Sequence, residues 1–137
     1  KYYKECIHFK QKNDLKNVDF YINHKNFKKI FSSFDLYLCT SFSESCPVSI
    51  IEAMSNGVPI ISSNVGDVKK IINYKKNKCG EVLDLNLLKF VESINKYKND
   101  KKLYYKISKN CKNYFKKKFT NNVYSLKFKK IINDLYY

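Results

Sequence analysis

The chain has 137 residues, 44% hydrophobic and 28% charged, and its 27 basic against 12 acidic side chains give a formal net charge of +15. That length suits one domain with a single core, the apolar fraction excludes a disordered chain, and no run approaches the ~20 apolar residues that cross a bilayer. Every basic residue is lysine, so the arginine forks that read guanine edges are absent and no specific nucleic-acid partner is expected.

From the amino end, Tyr3, Cys6, Ile7 and Phe9 stand between lysines at helical spacing, predicting a short helix over 2–12 that Asn13 and Asp14 break. Val18 to Ile22 alternates apolar with mixed residues and reads as a strand, followed by a loop at Asn23–Asn26. Phe27, Ile30, Phe31 and Phe34 have helical spacing, with Asn26 as the expected N-cap. Leu36 to Cys39 is a short apolar run of the kind found in buried parallel strands. A polar stretch, Thr40 to Cys46, leads to a helix that Pro47 opens and Gly57 closes, and Pro59-Ile60-Ile61 begins the next strand. Ser62 to Gly66 reads as a loop, Asp67 as the cap of a helix through Ile72, Asn73 to Gly80 as a turn-rich connection, and Glu81 to Leu83 as a last brief strand. From Leu87 the chain reads as helix almost to its end, with breaks near Asn99-Asp100 and Thr120-Asn121; the stripe of Tyr104, Ile107, Cys111, Tyr114 and Phe115 reads as core.

Strands alternating with helices every 10–20 residues predict an α/β fold: a Rossmann-like parallel sheet with flanking helices over about 1–86, then a helical tail over about 87–137. The chain starts at Lys1 and its sole methionine is Met54, so the reading is one partial domain of a longer protein. The five cysteines are odd in number and form no C-x-x-C pair, which leaves no zinc pattern and makes reduced thiols in a cytoplasmic protein the expectation.

The segment from Ser41 to Pro59 carries the chemistry. It spans the turn from a strand into a helix, and parallel sheets bind ligands at that carboxyl edge. The helix start offers unpaired N–H groups and about half a positive charge, a seat for phosphate, with the hydroxyls of Ser43 and Ser45 beside it. Projected at ~100° per residue, Ile50, Ala53 and Met54 face the sheet with Ile51 on their flank, whereas Ser49, Glu52 and Asn56 gather on the opposite side. Glu44 and Glu52 can thus bracket a phosphate from two directions. Carboxylates repel phosphate but accept hydrogen bonds from sugar hydroxyls, so a diphosphate at the helix start with a sugar toward Glu44 and a ribose toward Glu52 satisfies every group.

Glu44, seven residues, then Glu52 with Ala53-Met54, Gly57 and Pro59, resembles the E-x7-E signature of retaining GT-B glycosyltransferases, especially family 4, also called group 1. Phe34 to Leu38, with Thr40-Ser41 after it, is similar to that family's preceding strand; Val65-Gly66 resembles its loop glycine, and Cys79 to Leu83 its following turn. The resemblance runs from about Val18 to Tyr136. It implies part of a GT-B C-terminal, donor-binding domain and a retaining hexosyltransferase. By that resemblance Glu44 is the catalytic-site carboxylate, contacting hydroxyls of the transferred sugar. Glu52 binds the ribose, Ser45 belongs to the donor site, and backbone N–H groups around Cys46, Val48 and Ser49 face the diphosphate. The donor would be a UDP- or GDP-sugar with no metal or further cofactor. The acceptor would be a saccharide or lipid-linked sugar in cell-surface polysaccharide or lipopolysaccharide assembly, on the cytoplasmic side with peripheral contact to anionic membrane. Departures from the pattern are Ser45 for a common Gly, Cys46 for Phe or Leu, Lys70 for Glu, and His24, read as a loop residue, where Gly is frequent. The family's diphosphate-neutralising Arg and Lys, and its acceptor-side histidine, would precede Lys1, so the piece alone is expected to be inactive. The alternative reading is a lysine-rich module for RNA or anionic membrane without catalysis.

Overall fold

A computed structural model describes residues 1–22, 27–74 and 77–136. Helix α1 (Tyr2–Lys12) precedes α2 (Phe27–Phe31), β1 (Tyr37–Cys39), α3 (Val48–Asn56), β2 (Ile60–Ser63) and α4 (Val68–Ile72). A short pair of strands, β3 (Asn73–Tyr74) and β4 (Asn77–Lys78), leads to β5 (Gly80–Leu83) and three helices, α5 (Leu87–Asn99), α6 (Lys101–Lys118) and α7 (Asn121–Tyr136).

The main sheet is parallel in the order β1-β2-β5, with Tyr37 opposite Ile60 and Ile60 opposite Gly80. Parallel neighbours need a crossover, which α3 supplies between β1 and β2, and α4 with the β3–β4 hairpin between β2 and β5. Because β2 is the central strand, all four of its residues are buried, including Ser62 and Ser63. Gly80 is obligatory where it stands: a Cβ there would collide with the backbone of Ile60 across the ladder. The core gathers around this sheet and joins Ile50, Ala53 and Met54 of α3, Val68, Ile71 and Ile72 of α4, Phe90 and Tyr97 of α5, and Ile107, Cys111 and Tyr114 of α6. Thus the tail stripe is core, as its spacing predicts. The Cys111 thiol donates to the Cys79 carbonyl at 3.2 Å, and hydrogen bonding with the neighbouring Cys79 thiol, reinforced by burial, pushes its pKa far up.

The helices end where the chain's punctuation says. Gly57 adopts the left-handed conformation (φ 76°) that closes α3, with its N–H and that of Val58 returning to carbonyls of the last turn. Asn86 caps α5, accepting from the N–H groups of Leu88 and Lys89, and Asp100 caps α6, accepting from Leu103 N–H at 2.8 Å.

Four expectations need correction. Val18 to Ile22 forms no strand; it finds no ladder partner among the described residues, and Phe20 turns back onto α1, its ring edge-on to Tyr3 at 5.8 Å. Helix α2 stops at Phe31, because Ser33 turns its side chain and backbone N–H onto the Ile30 carbonyl, so Phe34 lies beyond it. Asp67 stands at the N-cap of α4 without its side chain capping the helix; its carboxylate pairs with Lys70 at 2.7 Å instead. Ser62 and Ser63 belong to β2 rather than to a loop, and the connection from Asn73 contains the antiparallel β3–β4 pair. The loop at Asn23–Asn26, with His24 and the proposed Asn26 cap, lies outside the described residues.

Candidate donor site

The carboxyl ends of β1, β2 and β5 form one edge of the sheet, and the segment from Ser41 to Ser49 lies along it. Two devices fix its backbone. The buried Ser63 hydroxyl at the end of β2 donates to the Ser41 carbonyl at 2.6 Å, pulling the strand exit of β1 over its neighbour. Beyond it, Asp67 N–H donates to the Ser45 carbonyl at 3.0 Å, and Gly66 (φ 48°) passes so close that a Cβ would strike the carbonyl oxygens of Glu44 and Ser45. Glu44 is therefore held from below by the β2–α4 turn. Its carboxylate also accepts from the Ser41 hydroxyl at 2.8 Å, which aims an otherwise exposed side chain.

Helix α3 begins differently from α5 and α6. Pro47, at its N-cap, has extended backbone (φ −69°, ψ 106°) and no side chain that accepts a hydrogen bond. Ile50 N–H donates to the Pro47 carbonyl at 3.1 Å, and the N–H groups of the first turn lie upstream of any intrahelical acceptor. With Cys46 and Val48 exposed and Ser49 half-buried, this positive helix end faces solvent beside Glu44.

Glu52, one turn further along, is exposed, while Ile50, Ala53 and Met54 are fully buried and Ile51 lies between, as the helical projection predicts. The two glutamates share a neighbour. Tyr37, half-buried at the start of β1, donates its hydroxyl to Ser49 Oγ at 2.7 Å, and its pKa is raised first by burial and further by the negative charges of both Glu44 and Glu52, against a lowering by the Ser49 bond. The Tyr37 hydroxyl ties the start of β1 to Ser49 in the opening turn of α3.

Sequence reasoning missed the parts that hold the Ser41–Ser49 segment in place: Tyr37, Ser63 and the contact of Gly66 with the Glu44 carbonyl. Two signals were available. A serine pair inside an otherwise buried strand needs hydrogen-bond partners, and the three-residue spacing of Ser41 and Glu44 suits a local hydrogen bond. Nothing in the sequence marks the Tyr37–Ser49 contact. A cleft of about 280 Å³ opens alongside, lined by Ser41, Phe42, Ser63, Asn64, Val65, Asp84 and Leu85. Among the described residues no group of three or more His, Cys, Asp or Glu could hold a metal ion.

The family model "Glycosyl transferases group 1" matches residues 1–114. The chain belongs to the group 1 glycosyltransferase family. None of the curated proteins matches it. Among solved structures, sucrose-phosphate synthase from Thermosynechococcus elongatus superposes on this group 1 chain with a TM-score of 0.82 at 20% identity, over 97% of this chain and 34% of its own. The C-terminal domain of the group 1 glycosyltransferase LpcC from Francisella tularensis does so with a TM-score of 0.70 at 20% identity, over 88% of this chain and 63% of its own. At that identity these likenesses concern the fold, and they bear out the expected GT-B C-terminal-domain architecture. The group 1 chain spans about a third of the first structure and under two thirds of the second.

Proposed function

We propose that this chain is the donor-binding part of a retaining hexosyltransferase that moves a sugar from a UDP- or GDP-linked donor to a saccharide or lipid-linked acceptor. The reading is supported by family membership together with one local observation: Glu44, held by Ser41, precedes a helix start that no side chain caps, and Glu52 stands exposed one turn along that helix. The roles follow from charge. The N–H groups of Cys46, Val48 and Ser49 take the diphosphate, and the helix dipole stabilises the negative charge that grows there as the sugar leaves. Glu44, steadied by Ser41, accepts hydrogen bonds from hydroxyls of the transferred sugar. Glu52, beyond the diphosphate, accepts those of the ribose. Ser45 supplies a hydroxyl where a glycine is frequent, and no metal is needed to hold the phosphates. The acceptor chemistry fits assembly of cell-surface polysaccharide or lipopolysaccharide at the cytoplasmic face. Lys116–Lys118 at the end of α6, with Lys127, Lys129 and Lys130 on α7, suit peripheral attraction to anionic headgroups, each worth roughly 1 kcal/mol near the surface. Among the described residues no helix is long and apolar enough to cross a membrane.

The test is a thermal-shift titration of the protein against UDP, GDP and their hexose conjugates, repeated with Glu52→Gln. Removing the ribose acceptor should weaken nucleotide affinity about tenfold, the usual cost of one hydrogen bond to a charged group. Unchanged affinity in Glu52→Gln contradicts the assigned role. Binding of RNA or anionic vesicles that falls steeply with salt, with no response to any nucleotide, would favour the lysine-rich module instead.

A further inference from the structure

A serine in a helix usually returns its hydroxyl to a carbonyl three or four residues back. Ser55 does so within α3, donating to the Glu52 carbonyl at 2.7 Å, and Ser32 and Ser33, just past α2, donate to the carbonyls of Lys29 and Ile30. Ser49, the second residue of α3, behaves differently. The Ser45 carbonyl, four residues back, already accepts from Asp67 N–H at 3.0 Å. The Ser49 oxygen takes its partner from another element, the Tyr37 hydroxyl 2.7 Å away. That bond uses the phenolic proton and one acceptor site of Ser49. Among the described residues nothing accepts the proton of Ser49 itself.

Tyr37 is held for this contact from two sides. Its N–H donates to the Pro59 carbonyl at 2.9 Å, which fixes its backbone at the start of β1. Its ring lies tilted at 42° against Phe31 of α2, centroids 5.8 Å apart, and the buried Phe31 is in turn edge-on to Phe34 at 5.5 Å. The phenol is thereby a stiff arm from the sheet to the opening turn of α3. Burial, the largest influence on its pKa, raises it above the ordinary tyrosine value, so the hydroxyl keeps its proton at neutral pH and remains a donor. The chain of hydrogen bonds then has one direction: Tyr37 gives to Ser49, and Ser49 gives onward. A hydroxyl that accepts a hydrogen bond is polarised into a better donor, and an anion is the acceptor that gains most from it.

We propose that Tyr37 is a positioning residue of the donor site, which by donating to Ser49 Oγ leaves the Ser49 proton for an oxygen of the donor's diphosphate. The inference rests on the donor reading, which seats that anion at the start of α3. Tyr37 acts through Ser49 and touches no phosphate itself. Without the phenol, Ser49 is free to follow Ser55 and turn its proton onto the backbone.

The experiment is a double-mutant cycle on the affinity for UDP and GDP, measured by isothermal titration calorimetry with thermal unfolding recorded beside it. Tyr37→Phe keeps the ring and its packing on Phe31, so the fold should survive. It should weaken the nucleotide that binds about fivefold, the usual loss for one neutral hydrogen bond. Ser49→Ala should weaken it about tenfold. Adding Tyr37→Phe to Ser49→Ala should change affinity no further, because the phenol then has no hydroxyl to orient. Uridine and guanosine, which carry no phosphate, should bind Tyr37→Phe as they bind the wild type. A tyrosine that only props α3 would instead lower affinity in both backgrounds alike, in step with the melting temperature. Equal losses from Tyr37→Phe with and without the Ser49 hydroxyl, or wild-type nucleotide affinity in Tyr37→Phe, overturn the proposal and leave nucleotide binding at α3 intact. If neither UDP nor GDP binds the wild type, the donor reading itself falls and this role falls with it.

Discussion

The amino ends of α3 and of the tail helices α5 and α6 solve the same problem in opposite ways. Every helix starts with N–H groups that lack an acceptor. In α5 and α6 the chain supplies one, the side-chain oxygens of Asn86 and Asp100. In α3 it supplies Pro47, whose side chain accepts nothing, and surrounds the opening turn with exposed Cys46 and Val48. The two tail helices are scaffold and close their ends internally. The third leaves its end without a side-chain cap, where the proposed donor would place its diphosphate. The same contrast runs through the loops: the connection between α5 and α6 is the single residue Asp100, whereas the loop from Thr40 to Pro47 is tied down by Ser63, Gly66 and Asp67 without being covered.

Breaking the tie at Gly66 should have the largest effect on the site, since it displaces Glu44 as well as destabilising the fold. Gly66→Ala puts a Cβ into the backbone carbonyls of Glu44 and Ser45 at a positive φ, and should cost about 2–4 kcal/mol in denaturant unfolding while displacing Glu44. Shortening the buried face of α3 comes next: Met54→Ala should cost about 2–5 kcal/mol, with nucleotide affinity falling only as far as the helix loosens. Removing a scaffold cap should be milder, with Asp100→Ala costing about 1 kcal/mol in thermal unfolding and leaving ligand binding untouched. The reverse change sharpens the comparison. Pro47→Asp gives α3 the cap it lacks, so it should stabilise the helix by about 0.5–1 kcal/mol and at the same time weaken nucleotide binding, because a fixed carboxylate then occupies the anion's position.

The smallest effect concerns Asp84. Its carboxyl is depressed by Lys89 in the folded protein, so the pair's contribution is present above the ordinary aspartate pKa and is lost as pH falls through the lowered folded value. Lys89→Ala should raise the Asp84 pKa toward the usual carboxylate range in a carbon-detected NMR titration, with little change in melting temperature because both groups are exposed.

What could be read in the sequence was local. Helix α3 was legible because its buried face, its proline start and its glycine stop all lie within eleven residues, and the tail because its three helices repeat one apolar spacing. The exposed face of Glu52 could be read by counting along the helix, opposite the buried Ile50, Ala53 and Met54. The failures involve distance. Val18–Ile22 has a strand's alternation, but a strand exists only where another backbone pairs with it, and Phe20 packs its ring on Tyr3 of α1 instead. The Asp67 side chain had two polar uses within reach, and the ion pair with Lys70 displaced the cap. The supports of the site, Tyr37 to Ser49, Ser63 to Ser41 and Gly66 to Glu44, join residues 12 to 22 apart through the packing of the sheet edge, which no pattern within one element records.

The central claim is that the uncapped start of α3 receives the diphosphate of an activated sugar between Glu44 and Glu52. Titrating the protein with UDP- and GDP-hexoses while following the backbone amides of Cys46, Val48 and Ser49 by NMR tests it most directly. The account predicts saturable downfield shifts of these amides for at least one of the two nucleotides, weakened in both Glu44→Gln and Glu52→Gln. Amides at 46–49 that stay in place while the ligand binds elsewhere on the protein would contradict it.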